Sequence, residues 1–196
     1  MIRESKPERS QRSSRRQRTK SMSPNSANHT TTTVLGPDVD LAGTLAATGV
    51  RMMVRSKQTE GGFSLVQHRI APHSMTSPVH RHSREDEYTV VQSGRVAAMV
   101  GDEVVYAETG AMIFKPRGQW HAVWNPDDAP ARILEIITPG GMEDLFELMP
   151  KLLAEASSAA ESVAARVEAD FGIEFDLVAT AEIAQTHGVG FGIESH

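Results

Sequence analysis

The spacing of three histidines and one glutamate constrains this chain more than any other feature. It reads His80-x-His82-x4-Glu87-x6-Gly94, then fifteen residues, then Gly110-x5-Pro116-x-Gly118-x2-His121-x3-Asn125. A β-strand places side chains i and i+2 on one face, so His80 and His82 can point into the same space. Glu87 follows closely enough to join them. Pro116 and Gly118 mark a turn that re-aims the chain just before His121. Three neutral imidazole nitrogens and one carboxylate suit a divalent first-row metal, with positions left for water or substrate. Iron, nickel, manganese, cobalt, copper and zinc all accept that donor set.

Both segments resemble the paired signature motifs of the cupins, small β-barrels of six to eight strands that hold a metal in the barrel mouth. The resemblance covers residues 80–94 and 110–125 at every signature position but one. Six residues before the first histidine, where the family has glycine, this chain has Ser74, and a different turn is expected there. Carried over by position, the resemblance implies His80, His82, Glu87 and His121 as ligands of one divalent transition metal. It also implies a mainly β fold, an antiparallel barrel of the jelly-roll type.

At 196 residues the chain can hold one barrel-sized domain with appendages. It has no cysteine, so disulfides and thiolate ligands are excluded and a metal must rest on histidine, carboxylate and water. A cysteine-free chain is indifferent to redox conditions, and a cytoplasmic location is the expectation. No apolar run approaches the roughly 20 residues that span a bilayer. No apolar segment follows the basic N-terminus either, so a secretory signal is not expected. The net charge of −5 hides an asymmetry. Residues 1–20 carry Arg3, Lys6, Arg9, Arg12, Arg15, Arg16, Arg18 and Lys20 against Glu4 and Glu8, and the remainder is strongly acidic. An acidic body argues against nucleic-acid binding, which calls for a basic face.

Residues 1–48 read as a disordered basic tail, rich in Ser, Arg, Thr and Asn and interrupted by Pro7, Pro24 and Pro37. Met22 offers a second start beyond the arginines of the run. Residues 49–140 read as the barrel. Short apolar runs alternate with turn signals at Glu60-Gly61-Gly62, Ser93-Gly94, Gly101-Asp102, Glu108-Thr109-Gly110 and residues 126–130. That rhythm is antiparallel, and no parallel βαβ unit is visible. Residues 141–196 read as a C-terminal helical extension. Leu145, Phe146, Leu148, Met149, Leu152 and Leu153 form an apolar stripe, interrupted by Pro150. Gly172 and Gly188 end the two helices that follow. The stripe needs cover from its own barrel or from a second copy, and a homodimer is the expectation.

Around the ligands, Thr89 and Val91 share the face of Glu87 by alternation, and Val123 shares that of His121. With Met112 or Phe114 from a neighbouring strand they would line an apolar small-molecule pocket. Trp120 and Trp124 alternate away from His121 and read as packing under the C-terminal helices. His68 and His73 fall outside the ligand spacing. Glu87 is the candidate catalytic residue, because a loosely bound carboxylate can leave a metal and take a proton from a substrate hydroxyl.

One barrel followed by Pro-Gly-Gly-Met-Glu-Asp-Leu-Phe at 139–146 and a helical tail resembles the single-domain quercetin-dioxygenase-like cupins. That resemblance implies a dioxygenase, with dioxygen as co-substrate, cleaving a flavonol-like or other enolisable phenolic or diketone molecule. Two other readings use the same ligands: a metal-dependent cyclase or isomerase, and a non-enzymatic small-molecule-binding cupin. No nucleophile triad, phosphate-cradling loop or dinucleotide fingerprint competes.

Overall fold

The structure is a computed structural model that describes residues 49–155 and 160–190. The expected tail at 1–48 lies outside the described residues. Nine successive strands form, and period-two alternation of burial is the rule in several of them. The nine are β1 (Val50–Val54), β2 (Ser64–Ile70), β3 (Val79–His82), β4 (Asp86–Ser93), β5 (Arg95–Val100), β6 (Glu103–Glu108), β7 (Met112–Lys115), β8 (His121–Trp124) and β9 (Ala131–Thr138). In β9 the rule is plain: Ala131, Ile133, Glu135 and Ile137 are buried, and the residues between them are half-buried.

Helices α1 (Glu143–Glu155) and α2 (Ala160–Phe171) follow, then a tenth strand, β10 (Ile173–Asp176), and α3 (Leu177–His187). The strands form two antiparallel sheets, ordered β1-β2-β9-β4-β7 and β10-β3-β8-β5-β6. No ladder joins the two sheets among the described strands. The jelly-roll is therefore realised as two facing sheets, not as a closed barrel.

The helical extension expected at 141–196 contains β10, which local pattern did not separate from its flanking helices. Gly172 explains how the chain makes that change. It takes a left-handed φ of +71°, and a Cβ there would lie 2.3 Å from Ser83 Oγ. Only glycine ends the helix and lets the backbone pass so close to the β3–β4 loop. The Gly172 carbonyl accepts from Ser83 N at 2.9 Å. From there β10 pairs antiparallel with β3, setting Ile173 opposite His82 and Phe175 opposite His80.

Among the described side chains, the apolar stripe of α1 is covered within the chain. Leu145 and Leu152, with Val167 of α2, are buried against Val50, Met52, Val66, Ile137 and Ile173, and Phe146, Leu148 and Met149 pack beside them. The stripe therefore supplies no reason for a second copy. α1 also runs through position 150 without a break. α3 covers the other sheet, where Trp124 is fully buried with Val79, Ala122 and Ile183, as expected for a packing residue. Trp120 packs beside this group, and Thr180 Oγ1 accepts from Val79 N at 2.9 Å. At the family's missing glycine, the left-handed turn falls one residue earlier, on His73 with φ 50°. Ser74 is buried, and its carbonyl accepts from Asn125 N at 2.9 Å.

α1 is anchored at its first residue. The buried Glu143 carboxylate accepts from Ser56 N at 2.7 Å, from the hydroxyls of Ser56 and Ser64, and from Gly141 N at 3.2 Å. Burial alone would raise this carboxyl, but the serine hydrogen bonds outweigh it and hold it at about 2. An unfolded glutamate titrates near ~4.3, so this contribution to stability is present above that pH and is lost as pH falls toward 2. Glu143→Gln is expected to cost about 1.5–3 kcal/mol at pH 7, the range for hydrogen bonds to a charged group. The gap to wild type should close as pH falls from about 4.3 to about 2. Thermal unfolding across that range checks it, and a gap that ignores pH would contradict the assignment.

Candidate metal centre

Three strands from two sheets bring the cluster together. His80 and His82 share one face of β3, and His121 opens β8 directly opposite His80. Glu87 reaches across from β4 in the facing sheet. The ring centroids lie 5.0 Å apart for His80 and His82, 4.4 Å for His80 and His121, and 5.4 Å for His82 and His121. One ligand atom from each of His80, His82, Glu87 and His121 lies within 4.8 Å of the others. Gly118 helps to close this arrangement. Its left-handed φ of 79° turns the chain between β7 and β8, and its N–H donates to the His82 carbonyl at 2.7 Å.

Hydrogen bonds on the far side of each ring fix the imidazoles. His80 Nδ1 donates to Pro78 O at 2.8 Å, His121 Nδ1 to Gln119 O at 2.9 Å, and His82 Nδ1 to Glu85 Oε2 at 3.3 Å. Each ring therefore turns Nε2 toward the cluster. The Nε2 atoms of His82 and His121 are buried and make no hydrogen bond. Buried polar atoms that lack a well-aligned hydrogen bond are costly, and here they face one another beside a carboxylate. These donors fit a divalent ion, which would satisfy all of them at once.

The electrostatics centre on Glu87. Burial would raise its carboxyl, but Lys115, His82 and His121 hold it well below the usual range, so it is an anion inside the protein. Its Oε1 lies 3.3 Å from His82 Nε2, and its Oε2 lies 3.3 Å from His121 Nε2 and 2.6 Å from Lys115 Nζ. His80 is pushed well below the ordinary imidazole value by burial and by its two histidine neighbours, and is neutral. For His82, burial works downward, but Glu87 and Glu85 outweigh it and raise the ring to about 9. Without an ion, a proton on His82 Nε2 answers Glu87; an ion must displace that proton.

Three contributors were not singled out from the sequence. Lys115 is 2% exposed and also contacts Glu135 Oε1 at 2.7 Å. Glu135 in turn accepts from Thr89 Oγ1 at 2.8 Å. Glu85 orients His82. The signals were present: a glutamate in phase with Ile133 and Ile137, a lysine in phase with Ile113, and a glutamate three residues after a ligand histidine. A charge on a buried face needs a counter-charge across the sheet.

That pairing also corrects the expected pocket wall. Glu87 faces Lys115 and Thr89 faces Ile113 in the β4–β7 register, so Ile113 and Lys115 point inward. Met112 and Phe114 point outward, 59% and 47% exposed, and Phe114 stacks on Tyr88 at 4.9 Å. Parity is set by the ion pair, not by the size of the apolar side chains. Val91 and Val123 are buried in a packed cluster with Ile70, Val96 and Ile133. Thr89 is buried against Glu135.

His68 is buried with its ring 6.2 Å from Phe146 and its Nε2 3.9 Å from Glu135. His73 is half-exposed and pairs with Asp128 at 2.7 Å. Neither joins the cluster. Asn125 is also structural, since its amide donates to the carbonyls of Ile70, Ala71 and Ala129.

These features define a double-sheet β protein with three imidazoles and a carboxylate converging between its sheets. Residues 66–137, the segment that carries all four clustered residues, match the family model described as "Cupin domain". Similar solved structures include a Klebsiella pneumoniae protein with a double-stranded β-helix domain. It is 18% identical, with 46% of this chain and 76% of that one covered and a TM-score of 0.42. A predicted oxalate decarboxylase from Thermotoga maritima is 16% identical over 46% and 78% of the two chains, with a TM-score of 0.44. A sugar phosphate isomerase from a cupin superfamily, from Silicibacter pomeroyi, is 26% identical over 50% and 65%, with a TM-score of 0.40. No curated protein matches. Among the described residues, no helix is long and apolar enough to cross a membrane.

Replacing His82 or His121 by Ala should abolish stoichiometric divalent metal, while His68→Ala and His73→Ala should leave it. Apparent affinity in the wild type should rise with pH and level off near 9, where His82 gives up its proton. Metal analysis of the purified variants and titrations across pH check both. Wild-type affinity in His121→Ala would remove that residue from the set.

Proposed function

We propose that the chain binds one divalent transition metal through His80, His82, Glu87 and His121 and acts on a small molecule with an acidic hydroxyl or enol. The observation that carries this reading is the convergence of four ligand atoms within 4.8 Å of one another, two of them buried Nε2 atoms without a well-aligned hydrogen bond that face an ionised carboxylate. A bound ion would supply Lewis acidity toward a substrate oxygen and, if redox-active, electrons for dioxygen.

Glu87 is the proton acceptor. With an ion held by the three imidazoles, the Glu87 carboxylate would offer an oxygen to the substrate's proton. The imidazoles cannot take that role, because their Nδ1 atoms are committed outward and their Nε2 atoms to the ion. The C-terminal segment packs close to the cluster on one side, where the Phe175 ring of β10 lies 6.1 Å from that of His80.

The finer reading is an oxygenolytic dioxygenase acting on a flavonol-like or other enolisable phenolic or diketone substrate. The second reading is a cyclase or isomerase that uses no dioxygen. It is favoured by the buried Lys115 beside Glu87, since an acid and a base in one site suffice to move a proton between two substrate atoms. Oxygen consumption with a flavonol and diketone panel supports the first. Turnover without oxygen uptake supports the second, and binding without turnover would leave a ligand-binding cupin. Homodimerisation is a separate proposal, resting on the exposed Val104, Val105 and Tyr106 of edge strand β6; a single-chain sedimentation mass would remove it.

Glu87→Gln is expected to keep an oxygen for the ion but to lose the proton acceptor. Turnover per bound metal should fall by roughly 10²–10⁴-fold, with substrate affinity changed far less. A Glu87→Gln protein with full metal and near-normal turnover would send the proton elsewhere.

A further inference from the structure

Lys115 has no place in the ligand set, yet it is the cation nearest to the catalytic carboxylate. Its side chain is buried, with Nζ 2.6 Å from Glu87 Oε2 and 2.7 Å from Glu135 Oε1. The strand register makes this contact a consequence of the fold, because Lys115 of β7 stands directly opposite Glu87 of β4. Glu135, from β9 on the other side of β4, is fixed by Thr89 and holds the ammonium in place. Glu87 therefore has two cationic destinations: the point where the imidazoles converge, and the ammonium at its back.

From this geometry we propose that Lys115 is a positioning residue for Glu87: it competes with the bound ion for the carboxylate and receives it when it swings off the ion. The proposal rests on the metal reading given above. A carboxylate leaving an ion inside a protein needs a counter-charge, because an unpaired buried anion is strongly disfavoured. Lys115 supplies that charge without any rearrangement of the backbone. Its cost is a weaker hold on the ion, since the ammonium draws away one ligand and repels the ion as well. Glu135 is part of the device, because without it the ammonium would be free to turn away from Glu87.

The test is a double-mutant cycle on the full chain, read as Co²⁺ affinity by chelator competition. Lys115→Met should tighten Co²⁺ binding on the order of tenfold or more, because the competitor is gone. The same substitution in a Glu87→Gln background should tighten it much less, because an amide does not pair with the ammonium in the same way. Lys115→Met leaves Glu135 buried without its cation and can fail to fold. The combined Lys115→Met, Glu135→Gln variant removes both charges, and its amide oxygen still accepts from Thr89. It should show the same tightening. Turnover per bound metal should fall in both variants although their metal content rises, a split that general damage to the site does not produce. Unchanged or weaker Co²⁺ affinity in the folded variants would overturn the proposal, as would equal tightening in the Glu87→Gln background. A wild-type chain that takes no Co²⁺ would overturn the metal reading itself, which is a distinguishable result.

Discussion

The burial of the Glu87 carboxylate beside three imidazoles is the constraint on which the rest of this structure depends. An isolated anion does not survive in such a place: it takes up a proton or draws in a counter-charge. Lys115 is that counter-charge in the protein, and a divalent ion is the one that the converging Nε2 atoms prepare for. Losing one partner of a buried ion pair typically costs about 3–5 kcal/mol, comparable to much of a small domain's net stability. The inner faces of β4, β7 and β9 are accordingly built around charge. Glu87, Lys115 and Glu135 occupy successive neighbouring strands, and the apolar residues fill in around them.

The C-terminal segment is part of this construction and not an appendage. Gly172 hands the chain from α2 to β10, and β10 then becomes the outer neighbour of the strand that carries His80 and His82. α1 is fastened by Glu143 to Ser56 and Ser64 and lays its apolar side over β1, β2 and β9. Phe146 of α1 packs edge-on to His68 of β2, and Phe175 of β10 lies beside His80 of β3. This ties the apolar core to the chemistry, since charge interactions are stronger in a low-dielectric interior.

Much of this was legible in the sequence, for identifiable reasons. The nine strands β1–β9 follow from short apolar runs, several of them alternating with period two, and from glycine turns, which are local signals. The convergence of His80, His82, Glu87 and His121 follows from motif spacing. β10 was not legible, because Ile173-Glu174-Phe175-Asp176 is too short to declare a strand and is one only by pairing with β3. The inward face of β7 was misread for a related reason. Met112 and Phe114 look like core residues and Lys115 like a surface one, until the register sets Lys115 against Glu87. Pro150 looked like a helix break, yet α1 continues through it. In each case a long-range partner decided against a local preference.

The central claim is that one divalent ion sits among three imidazoles and Glu87. X-ray absorption on protein loaded with one equivalent of Co²⁺ tests it most directly, because scattering from imidazole rings is distinctive and can be counted. The account predicts three imidazole nitrogens and at least one oxygen around each ion in the wild type. It also predicts the same three nitrogens in Glu87→Gln, and two after His121→Ala if any ion is retained. An ion surrounded mainly by oxygen, with fewer than three imidazoles in the wild type, would contradict it.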